Sequence, residues 1–110
     1  MTSESRNAMS DDAPERVVAS VWLSHEGGLH ARPSIKVSQL AKRFQSSVWL
    51  ALSEEGPWVD AKSVARVIGM KSPSNVLLFF AADGHDANDA IVALVDLVDS
   101  DFGNGAARAQ

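Results

Sequence analysis

A chain of 110 residues, 45% apolar and 22% charged, has enough apolar side chains for one globular domain without covalent staples. Its net charge of −4, with ten Lys and Arg that never gather into a basic run, argues against nucleic acid as a partner. The lack of cysteine excludes disulfides, thiolate chemistry and zinc–sulfur sites. Residues 1–14 are polar and acidic, lack the apolar core of a signal peptide, and read as a flexible extension. Residues 103–110 read as a flexible tail, which leaves a domain over 15–102. No stretch approaches the ~18 apolar residues of a membrane span, so a soluble, cytoplasmic protein without membrane insertion is expected.

Along that domain, Val17, Ala19, Val21 and Leu23 alternate with Val18, Ser20 and Trp22, the period of a strand with one buried face. From Pro33 the period changes, and Val37, Leu40, Ala41 and Phe44 form one stripe of a helix. Period two returns over Ser47 to Leu52, with Val48, Leu50 and Leu52 on one side and Trp49 and Ala51 on the other. Glu54–Glu55–Gly56–Pro57 is a turn and Trp58–Val59–Asp60 a short returning strand. Ser63 is a natural N-cap for a short helix over Val64 to Ile68, ended by Gly69 and the loop Lys71–Ser72–Pro73–Ser74. Val76 to Ala81 is apolar on both sides and suits a central strand. Asp86 with Asp89 opens the last helix, whose stripe is Ala87, Ala90, Ile91, Leu94, Leu97 and Val98, with Gly103 past its end. The order βαββαβα predicts an α+β, two-layer open-faced sandwich: a four-stranded sheet of antiparallel type with three helices on one face.

The chemistry gathers at Gly28–Leu29–His30–Ala31–Arg32–Pro33–Ser34. Proline locks its own φ, has no N–H and keeps the preceding residue out of the α region, so Pro33 belongs in a first helical turn and His30 just outside a helix N-terminus. Unpaired N–H groups and the macrodipole make such a position favour an anion. An imidazole there could carry a phosphoryl group, with the amides of Ala31 and Arg32, the Arg32 guanidinium and the Ser34 hydroxyl around the phosphate. Ser34 has a second reading, a local cap. A lone histidine near a cap needs no function; Arg32 and Pro33 beside it favour the functional reading.

These residues and this element order resemble the histidine-containing phosphocarrier (HPr) family of the bacterial phosphoenolpyruvate-dependent phosphotransferase system, over about residues 16–100. Gly28–Leu29–His30–Ala31–Arg32–Pro33 is similar to the family's active-site motif, and Ala61–Lys62–Ser63 to its regulatory segment. The resemblance implies that enzyme I, phosphorylated from phosphoenolpyruvate, transfers the phosphoryl group to Nδ1 of His30. An enzyme IIA-type acceptor then takes it, so the protein is a carrier rather than an enzyme and needs no cofactor. It also implies that a serine kinase and phosphorylase act on Ser63. Three departures stand out: Gly27 and Ser34 replace a polar residue and an alanine common in the family, and the second helix is shorter.

The docking surface should surround His30. Ile35 lies about 200° from Val37 around the helix and faces away from the sheet. Val64 and Ile68, rimmed by Lys62 and Arg66, would complete an apolar patch, unless those two are ordinary core. On the other side of the sheet, alternation sends Trp22, Trp49, Trp58 and Phe79 outward together, which suggests cover by the N-terminal extension, self-association or an extra partner. His25 and His85 read as surface loop residues, without metal-ligand spacing around them. Two other functions remain open: a regulatory adaptor whose His30 or Ser63 phosphorylation state controls partner proteins, and an enzyme with His30 as general base, for which no acid–base partner is evident.

Overall fold

Alternation in the first strand is realised with Val21 and Leu23 turned into the core and Val18 and Trp22 left in solvent. The computed structural model describes residues 16–24 and 28–102. Within them the chain forms β1 (Arg16–Leu23), α1 (Ala31–Ala41), β2 (Ser47–Ala51), β3 (Val59–Asp60), α2 (Val64–Gly69), β4 (Val76–Asp83) and α3 (Ala87–Asp99). The strands make one sheet in the order β1-β4-β2-β3, with every pair antiparallel. The assignments to 1–14, to the tail 103–110 and to His25 and Gly27 lie outside the described residues.

Register aligns the inner face. Val21 stands opposite Leu78, and Phe80 opposite Leu50, which faces Val59 on its other side. Val37 and Ala41 from α1, Val67 from α2, and Ala90, Ile91, Leu94 and Val98 from α3 close over them as one core. Each large apolar side chain buried there contributes ~1.5–3 kcal/mol before chain entropy opposes it.

The second strand departs from its predicted alternation at one end. Leu52, expected on the core side with Val48 and Leu50, is 39% exposed, whereas Ala51 is fully buried. The strand stops at Ala51, and the turn in which Gly56 N–H donates to Ser53 O (3.0 Å) redirects the next residue. Ala51 stays in the sheet interior opposite Phe79, where a methyl is easily covered by its larger neighbour.

The end of α3 also rests on a residue outside its stripe. Asp101 N–H donates to Val98 O (2.9 Å) and Phe102 N–H to Leu97 O (2.7 Å), with Asp101 at φ 59. That bond pair is a Schellman reversal, made here by an aspartate. It returns Phe102 to the core, where Lys36 Nζ donates to its carbonyl (2.7 Å). The expectation that Gly103 follows the helix end lies outside the described residues.

Candidate functional site

The site begins with a glycine that nothing else can replace. Gly28 has φ +71, and a Cβ there would overlap the Ser72 carbonyl oxygen. That carbonyl accepts from Leu29 N–H (3.1 Å), and Leu29 itself is buried. The loop entering α1 is thus pinned to the segment before β4, and the next residue out of the core is His30.

His30 is the N-cap residue of α1, with φ −95 and ψ −156, and it is exposed together with Ala31 and Arg32. Its carbonyl accepts the first helical bond from Ser34 N–H (3.0 Å). The His30 side chain makes no cap bond to this helix and no acidic residue sits in its first turn. Of the leading amides, Pro33 has none and that of Ser34 is already engaged, so among the described residues those of Ala31 and Arg32 remain for an outside acceptor.

Ser34 takes the second of its two predicted roles. Its side chain is fully buried and its Oγ donates to Leu29 O (3.3 Å), back along the chain. A hydroxyl held there is turned from solvent, so the first-turn phosphate donor expected from it is not in place.

The Ala61–Lys62–Ser63 segment is tied to the same helix. Ser38 Oγ on α1 donates to Lys62 O (2.8 Å), and Lys62 Nζ donates to Phe44 O (2.9 Å). The Lys62 ammonium therefore serves a local carbonyl rather than standing as a loose rim charge. Ser63 caps α2 as its position predicts, its Oγ accepting from Arg66 N–H (3.3 Å). Exposed Ile35 and Ile68 and half-buried Val64 leave an apolar surface on the packed pair α1 and α2, with Arg66 in solvent. A groove of about 640 Å³ runs between Leu52, Pro57 and Val59 on one side and Ser63, Arg66 and Met70 on the other.

The contribution of Gly28, Leu29, Ser38 and Ser72 was not read from sequence. A glycine directly before the Leu29–His30 pair was the available signal, since a positive φ there needs glycine. The buried serines gave none.

Among the described residues no helix is long and apolar enough to cross a membrane, and no three His, Asp or Glu side chains gather as a metal would require. His85 is exposed, as expected of a surface residue.

Fold and site together define a small α+β domain that presents a histidine and an arginine at the open start of its first helix. Residues 17–100 match the family model for the PTS HPr component phosphorylation site. Phosphocarrier protein HPr of Neisseria meningitidis serogroup A is 33% identical over 86 residues, 78% of this chain and 94% of that protein. Phosphocarrier protein HPr of Cupriavidus necator is 40% identical over 78 residues, 71% and 85% of the two. A crystal structure of HPr-C-His from Thermoanaerobacter tengcongensis matches with a TM-score of 0.72 and 32% identity, covering 79% of this chain and 96% of that one. The chain belongs to the HPr family of phosphocarrier proteins of the phosphotransferase system.

Proposed function

We propose that this protein accepts a phosphoryl group on Nδ1 of His30 from phosphorylated enzyme I and passes it to an enzyme IIA-type acceptor, in the cytoplasm where phosphoenolpyruvate is made. The observation that carries this reading is the start of α1, where an exposed histidine holds the cap position directly before the amides of Ala31 and Arg32 and an exposed Arg32, with no acidic residue in the first turn. As the Nδ1–P bond forms, the donor's bond to phosphorus breaks. The amides of Ala31 and Arg32 and the Arg32 fork then meet the oxygens of the new dianion. Transfer passes through a loose transition state in which positioning and charge neutralisation dominate, so the remaining catalytic groups belong to the partners.

Restraint is part of the function. Each charged hydrogen bond contributes ~1.5–3 kcal/mol, and any excess that stabilises phosphohistidine lowers its transfer potential. Two amides and one arginine on an exposed site are a moderate set.

Ser63 is the second modification site. A phosphate on its Oγ keeps acceptor oxygens within reach of Arg66 N–H at the start of α2, and adds negative charge to the face formed by Ile35, Val64 and Ile68, which weakens partner docking. Incubation with phosphoenolpyruvate and enzyme I, followed by mapping of acid-labile phosphate, tests the main reading. The expected result is label on His30 and none on the His30→Ala protein; label retained by that variant overturns it.

A further inference from the structure

The sheet face turned away from the helices carries Val18 and Ala81 in one row with Trp49, then Phe79, then Trp22 beside Leu77. Val18 and Trp22 are 54% and 53% exposed, so this side remains open among the described residues. A cleft of about 380 Å³ sinks into it, lined by Val18, Ala81, Trp49 and Trp58 together with the charged Arg16 and Glu54.

The two indoles are differently served. The Arg16 guanidinium stands over Trp49, 6.0 Å from the ring centroid, and pairs with Asp83 (3.6 Å). Trp58 has no cation over it among the described residues, and the Glu54 carboxylate makes no ion pair there. The Trp58 ring lies close over Gly56, where a Cβ would come within 2.9 Å of Cδ1. Exposed Asp60, opposite Trp49 in the register, adds a second carboxylate to the same face.

We propose that this cleft docks a partner protein that inserts an arginine or lysine side chain flanked by apolar residues. A cation between Trp58 and Glu54 gains both the π face and the carboxylate. The flanking residues cover Phe79, Leu77 and Trp22. The chain's own residues 1–15 are the wrong occupant by charge, with Glu4, Asp11, Asp12 and Glu15 against Arg6 alone facing a surface that carries Glu54 and Asp60. Because the cleft lies on the layer opposite α1, docking there leaves His30 accessible.

The test is titration of the full chain with the tripeptide acetyl-Leu-Arg-Leu-amide, followed through the indole N–H resonances of Trp49 and Trp58. Saturable shifts of both are expected, with affinity about fivefold weaker for a citrulline replacement of the arginine and for the Glu54→Gln variant. The His30→Ala protein should bind equally well. Glu54 sits in an exposed turn, so that variant keeps the test open where Trp58→Leu fails to fold. Equal binding of the citrulline peptide, absence of saturable shifts, or a concentration-dependent dimer that buries both indoles overturns the proposal.

Discussion

The starts of α1 and α3 are two solutions to one problem. A helix N-terminus leaves amides without partners and a positive dipole end, and both attract negative charge. At α3 the protein supplies the charge itself, with Asp86 as N-cap residue and Asp89 in the first turn. The Asp86 carboxylate makes no side-chain cap bond to its own helix; instead it accepts from Gln45 N–H (2.9 Å), Ser46 N–H (2.9 Å) and Ser46 Oγ. It thereby fastens the α1–β2 loop to the head of α3. At α1 no acid sits in the first turn, the N-cap side chain makes no cap bond, and that residue is an exposed histidine. One terminus is closed by structure; the other is left able to receive an anion from outside.

The sharpest way to break that contrast is to remove the outside anion's charged partner. Arg32→Ala should slow phosphoryl acceptance from enzyme I by about 10–100-fold, the equivalent of one charged hydrogen bond, while the melting temperature stays close to wild type because the side chain is exposed. Rapid-quench transfer assays measure the first and calorimetry the second. Making α1 resemble α3 is the next test. Ala31→Asp places a fixed carboxylate in the first turn, and we expect phosphoryl acceptance to fall about tenfold while the helix gains ~0.3–1 kcal/mol. Unchanged transfer in that variant would falsify the view that an open N-terminus matters.

The loop that aims His30 gives a third test. Gly28→Ala meets both a positive φ and the Ser72 carbonyl, and should cost ~1–3 kcal/mol in denaturant unfolding. The smallest effect belongs to the closed terminus. The Asp86 carboxyl is held down to about 2, first by the Ser46 hydroxyl and then by the Gln45 and Ser46 amides, with His85 assisting and partial burial opposing. Since an unfolded aspartate titrates near ~3.9, these bonds stabilise the fold fully above that range and are lost as pH falls toward 2. Thermal melts of wild type and Asp86→Asn should differ most at pH above ~5 and converge between ~4 and ~2; a constant gap across that range would remove Asp86 as the source.

The same contrast separates what was legible in the chain from what was not. Strand alternation in Val17–Leu23, the helical stripe through Val37 and Ala41, the cap at Ser63 and the helix start at His30–Pro33 are all set within a few residues. Those are the distances over which φ restriction, capping and periodicity act. The outward tryptophans followed from alternation alone. Ser34 was open between two roles, because a hydroxyl in a first turn can face solvent or the preceding carbonyl, and only packing chose.

By itself, then, the sequence determined the element order, the inner face of each element apart from the Leu52 end of β2, and the placement of His30 and Arg32 at a helix start. Tertiary structure decided the partners: Asp86 with Ser46 forty positions away, Leu29 with Ser72, Ser38 with Lys62, and Phe102 turned back under the carbonyl bond of Lys36. Local conformational preference carries no information about which distant donor meets a given acceptor. That is settled only when the layers close and every buried polar group must find a partner.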